Sequence, residues 1–197
     1  VLRTDPQNAR ANAYYGEAIA DRGQIYEGLG YLEKASLLDP NIGLAHLIRS
    51  EILFSLGLEE DAKRALYSSM GLELPTFRHY IDRANIHLSF GEFDLAFADT
   101  NEAIRINPDH PLPYGARARI HAASNDFSSA VDDFKTAISL DPTNVEHRVR
   151  FELAESQTSS NSYDESIRAL NTSLGNQSLS IAAESGDSIE ELSLNAA

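Results

Sequence analysis

Asp5-Pro6, Asp39-Pro40, Asn107-Pro108 and Asp141-Pro142 all fall on one grid of 34 residues. The grid slot between the second and third holds Leu74, with Pro75 one residue late. Proline cannot donate to a helical ladder and disfavours helix in the residue before it, so each marker closes a helix. A second column on the same period reads Gly23, Gly57, Gly91 and Asn125. These residue types accept the left-handed conformation that ends a helix. A third column reads Gly28, Ala62, Ala96 and Ala130. A fixed period of this length marks a solenoid, in which each unit buries its apolar face only against its neighbours. Such an architecture points to a binding scaffold rather than to a fold with one central core.

Counting so that the marker proline is the thirty-second position, units start at Ala9, Gly43, Phe77, Pro111 and Val145. Each unit predicts two helices of ~12–14 residues joined by a short turn, close to the ordinary helix length. Small residues Gly16, Ser50, Ala84 and Ala118 on the first helices face Gly28, Ala62, Ala96 and Ala130 on the second, where the backbones must approach. In an antiparallel pair of this length the seventh and twenty-third positions lie opposite each other. Arg83 therefore faces Asp99, and Arg117 faces Asp133, which predicts two structural ion pairs.

At this point the chain resembles the tetratricopeptide repeat family. The closest stretches run from Gly91 through Phe93, Ala96 and Ala103 to Pro108, and from Phe127 through Ala130, Phe134 and Ala137 to Pro142. The resemblance implies an all-α, right-handed α-α superhelical solenoid of about five helix pairs plus a C-terminal capping segment. Residues 1–8 read as the end of a truncated preceding repeat. Repeats then occupy 9–42, 43–76, 77–110 and 111–144, with a degenerate fifth over 145–177. Residues 178–197 form an acidic tail, expected to cap the array or to stay disordered. That tail has no basic residue and intersperses Glu184, Asp187, Glu190 and Glu191 with leucine and isoleucine.

The net charge of −14 weighs against nucleic acid and anionic membranes, where phosphate neutralisation supplies most of the affinity. No stretch is long and apolar enough to read as a membrane span, and no signal peptide is visible, so the expected location is cytoplasmic. Cysteine is absent, which removes disulfide and thiol chemistry. No phosphate-binding glycine loop, zinc-protease motif or nucleophile elbow occurs, so no catalytic, cofactor or metal residue is assigned and no enzyme activity is expected. His87 and His121 recur 34 residues apart and read as packed core histidines. Acidic residues concentrate on the second helices, as in Glu59, Glu60, Asp61 and Asp126, Asp132, Asp133, while the first helices are close to neutral.

The resemblance places the first helices along a concave groove. By it, the partner-binding positions are Arg10 and Tyr14 in repeat 1, and Leu44, Leu47, Ile48 and Phe54 in repeat 2. Repeat 3 adds Arg78, Ile81, Asp82, Asn85 and Leu88, and repeats 4 and 5 add Arg119 and Arg150. This predicts an apolar floor in repeats 2 and 3, and two arginines with room around them at Gly115, Ala116 and Ala122. Arginine suits carboxylates because its planar fork donates two parallel hydrogen bonds. The expected function is a scaffold or adaptor that holds a protein or peptide segment with acidic and apolar residues. Two alternatives are a substrate-presenting region of a larger enzyme and a self-assembling repeat array. The family's chaperone-clamp pattern is not met, since Ala13 and Glu17 stand at its first lysine and asparagine places.

Overall fold

The computed structural model describes residues 5–160. It contains helices α1 (Ala9–Ala20), α2 (Ile25–Leu38), α3 (Gly43–Ser55), α4 (Glu59–Ser68), α5 (Phe77–Ser89), α6 (Phe93–Ile106), α7 (Pro111–Ala123) and α8 (Phe127–Leu140). Residues 145–160 are helical as well (α9). Among the described residues there is no strand, and no helix is long and apolar enough to cross a membrane. The expected markers in 1–4 and 161–197, including the tail, lie outside the described residues.

The turns inside the helical pairs show how local sequence sets the repeat. Gly23, Gly57, Gly91 and Asn125 all adopt positive φ, from 64° at Asn125 to 86° at Gly23. In each turn the next residue's N–H reaches back to a carbonyl in the last helical turn, as in Gln24 to Ile19 (3.2 Å) and Asp126 to His121 (2.9 Å). These bonds satisfy carbonyls that the helix itself leaves free. The prolines do the complementary job. Asp39 and Asp141 are extended, and their Oδ1 atoms accept the N–H two residues on, from Asn41 (2.9 Å) and Thr143 (3.0 Å). Aspartate thus recurs before proline because its side chain rebuilds the turn that the helix has lost.

Repeat 2 departs from the pattern. Helix α4 has 10 residues where α2, α6 and α8 have 14. It stops at Ser68, and a loop containing Gly71 (φ 71°) replaces its last turn. The misplaced Pro75 leaves no Asp-Pro stop at the usual place, and the loop is held instead from outside. Arg83 donates to the Ser69 carbonyl (2.6 Å), and the Tyr80 hydroxyl accepts from the Leu74 N–H (3.2 Å).

Apolar side chains form separate clusters between neighbouring units, not one centre. One joins Leu32, Ala35, Leu44 and Ile48; the next joins Leu47, Leu66, Leu74 and Tyr80; another joins Ala118, Ala130, Phe134 and Ala154. Successive first helices pack on one another, α1 on α3, α3 on α5 and α5 on α7. Among the described residues, no two second helices pack to that extent. The first helices therefore lie on the inside of the curve and the second helices on its outside.

Candidate functional site

Both expected ion pairs form. Arg83 meets both oxygens of Asp99 at 2.8 and 2.5 Å, with Arg83 7% and Asp99 5% exposed. Arg117 meets both oxygens of Asp133 at 2.7 Å and also reaches Asn101 (2.7 Å). These guanidiniums are consumed by structure. His87 is buried too, its Nδ1 2.7 Å from Glu92 Oε2, and the other Glu92 oxygen takes the Tyr67 hydroxyl. Hydrogen bonds from Tyr67 and His87 outweigh partial burial and hold the Glu92 carboxyl below its usual range. His121 is less enclosed than a core residue, with its ring tilted on Phe97 at 4.6 Å. Among the described residues, no group of three His, Asp or Glu could hold a metal.

The apolar floor in repeat 2 is corrected by the packing. Leu44, Leu47 and Ile48 are 2, 0 and 5% exposed, sealed between repeats 1, 2 and 3. Their positions point between neighbouring first helices, and the close contact of α1, α3 and α5 covers them. Phe54 is half-buried and stacks edge-on against Phe90 (5.3 Å), while Ile81 and Leu88 pack partly into the adjoining clusters. Arg10, Tyr14 and Arg78 are exposed, and Asp82 and Asn85 are half-buried.

What the inner surface presents is a charge ladder. Position nine of successive first helices reads Glu17, Glu51, Asn85 and Arg119, and Glu51 is the member absent from the positions named above. The column was legible, since its members are 34 apart. Glu51 sits beside Asp82, Glu17 and Asp21; burial first, and then those three charges, push its carboxyl up to about 8. Burial likewise raises Asp82. At neutral pH Glu51 therefore holds its proton, and the acidic end carries less charge than its composition suggests.

Arg119 lies at the opposite end. Its Nη2 donates to Asn85 Oδ1, yet its buried Nε has no hydrogen-bond partner among the described residues. Burial, followed by the charge of Arg150, pulls the guanidinium below its ordinary range. Among the described residues no carboxylate is in salt-bridge contact with Arg119, though the charge of Glu146 acts on it, and Arg150 is held by Glu146 at 2.8 Å. The room expected at Gly115 is filled: a Cβ there would sit 2.5 Å from His147 Nε2. Room does open at Ala122, in a pocket of about 300 Å³ lined by Arg119, Ala122, Phe127, Phe134, Arg150 and Leu153 among others. Among the described residues, no acidic one lines it.

A larger hollow of about 870 Å³ lies at the N-terminal end, among Tyr14, Tyr15, Tyr31, Arg10 and Lys34. It lies on the outer face of the first described helical pair. Ala18, which lines it, takes the place that Ile52, Ile86 and Ile120 fill in later repeats, where the preceding unit buries them.

Residues 116–180 match the family model described as tetratricopeptide repeat. The fold is similar to the crystal structure of YrrB, a tetratricopeptide repeat protein with an unusual peptide-binding site, at 11% identity and a TM-score of 0.65, covering 80% of this chain and 81% of that one. It is similar to TTC0263, a thermophilic protein of the same repeat type from Thermus thermophilus, at 20% identity and a TM-score of 0.59, over 78% of this chain and 84% of that one. The first such domain of Spaghetti (RPAP3), bound to the HSP90 peptide SRMEEVD, matches at 19% identity and a TM-score of 0.53, over 61% and 96%. No curated protein matches the sequence.

Proposed function

We propose that this chain, whose fold is similar to solved tetratricopeptide repeat proteins and whose residues 116–180 match that family's model, is a scaffold whose inner surface holds a partner segment by a carboxylate at Arg119. One observation carries this reading: a half-buried guanidinium whose Nε has no partner among the described residues, beside a pocket with no acidic residue among its described lining residues. A buried charge is retained at a cost unless something pairs with it. The Nη donors that Asn85 leaves free can meet one carboxylate, and the apolar wall of Ala122, Phe127 and Leu153 accepts the side chain next to it. The neighbour bound to SRMEEVD holds a peptide of the same chemical kind, acidic with apolar residues interspersed.

The test is selection from a displayed peptide library against the full chain and against Arg119→Glu. The wild type is expected to enrich peptides with Asp or Glu beside a branched apolar residue. The variant, folded by circular dichroism, is expected to lose that enrichment. Identical peptides from both proteins would place recognition elsewhere.

A further inference from the structure

The residues that line the Arg119 pocket belong to three elements, α7 (Arg119, Ala122), α8 (Phe127, Phe134) and α9 (Arg150, Leu153). α9 is the element from which residues 161–197 continue. After Arg168 that continuation has no basic residue, and its last twenty positions alternate Glu184, Asp187, Glu190 and Glu191 with Leu179, Ile181, Ile189, Leu192 and Leu194. The pocket offers the complement: the Arg119 guanidinium, the Arg150 guanidinium that Glu146 holds through Nε alone, and apolar walls, with no carboxylate among its described lining residues, on a chain whose net charge is −14. We propose that the acidic segment 178–197 of this same chain is the resident occupant of the Arg119–Arg150 pocket and competes there with a partner's acidic segment. The inference rests on the groove reading above and adds its regulation.

Reach and concentration both allow it. Residues 161–183 separate α9 from the acidic positions, and a stretch of that length can span at most roughly 75 Å, ample to reach from α9 to its own inner face. Tethering of this length gives an effective concentration on the order of 1 mM. A contact that would be weak between separate molecules, with Kd on the order of 100 µM, would then fill the pocket about nine-tenths of the time. A partner would have to displace it and would bind roughly tenfold more weakly than to an empty pocket.

The chain has no cysteine, so Ser185→Cys gives the full-length protein a single thiol for a nitroxide label. The readout is paramagnetic loss of amide peaks in nitrogen-15 spectra. At low salt the label is expected to erase the peaks of Ala122, Leu153 and Gln157 and to spare those of α1 and α2. Raising the salt to about 0.5 M should restore them, because partly exposed ion pairs are screened at that strength. The folded variants Arg119→Glu/Arg150→Glu and Glu190→Lys/Glu191→Lys should also restore them. Peaks that survive at low salt, or that vanish equally in both charge variants, overturn the inference. So does erasure seen only when labelled protein is mixed with unlabelled nitrogen-15 protein, since the tail would then be reaching a second copy. A silent label alongside Arg119-dependent peptide selection removes the tail from the pocket and leaves the groove reading standing. Selection that ignores Arg119 removes both.

Discussion

Two ion pairs of identical design but different enclosure let burial be separated from contact. Asp99→Ala deletes both oxygens that Arg83 meets at 2.5 and 2.8 Å and leaves a guanidinium 7% exposed with only the Ser69 carbonyl at 2.6 Å. Stranding a buried charge in this way costs ~3–5 kcal/mol. Asp133→Ala makes the same deletion at Arg117, whose side chain is 27% exposed and keeps Asn101 at 2.7 Å. That guanidinium can turn to water, so the cost falls to about 1–2 kcal/mol, the range for a lost charge-assisted hydrogen bond. The expected gap is about 2 kcal/mol, or roughly 4–8 °C in melting temperature for a chain of this size. Arg83→Leu/Asp99→Leu removes both charges and should cost only about 1–3 kcal/mol, because what remains is the unpartnered Ser69 carbonyl. Melting curves by circular dichroism should be read alongside hydrogen exchange in α5 and α6, since a solenoid need not unfold in one step. Equal losses from the two aspartate variants would refute the assignment of the difference to burial. A double variant at least as costly as Asp99→Ala would refute the stranded-charge argument itself.

Glu51→Gln tests the proton on the inner surface. The folded pKa of about 8 lies above the ordinary 4.5, so the folded state holds a proton that the unfolded chain releases, and stability falls as pH rises between those values. Glutamine removes that dependence. It should stabilise the protein at pH 7 by up to about 3 kcal/mol and by nothing at pH 4, measured as melting temperature against pH. Gly16→Ala puts a Cβ 2.9 Å from the Gly28 carbonyl and 2.8 Å from Leu32 Cγ, and the carbonyl is backbone that cannot step aside. It should cost ~1–3 kcal/mol by chemical denaturation, with the largest protection loss at the α1–α2 contact. Asn125→Ala should cost about 1 kcal/mol because alanine resists the positive φ of 64°, while Asn125→Gly should be level or slightly stabilising in the same assay.

Much of this molecule was legible in the chain because its determinants are local or fall on one period. Helix ends follow from glycine, asparagine and proline at fixed offsets, and α1, α3, α5 and α7 begin at Ala9, Gly43, Phe77 and Pro111. The Arg83–Asp99 and Arg117–Asp133 pairs follow from which positions face each other across a hairpin of that length. The Glu17, Glu51, Asn85 and Arg119 ladder was equally available from the period, though its chemistry was not. Burial on the inner surface depends on how closely consecutive first helices lean together, a rotation set by all the packed side chains between units. That lean sealed Leu44, Leu47 and Ile48 inside and gave Glu51 its proton. It also set His147 over Gly115 and left the buried Nε of Arg119 without a partner among the described residues. Repeat by repeat, the sequence determined the hairpins and their turns, since those energies act within a few residues of chain. Only the tertiary structure decided which groups stay wet, because enclosure is a property of the stack that no single repeat contains.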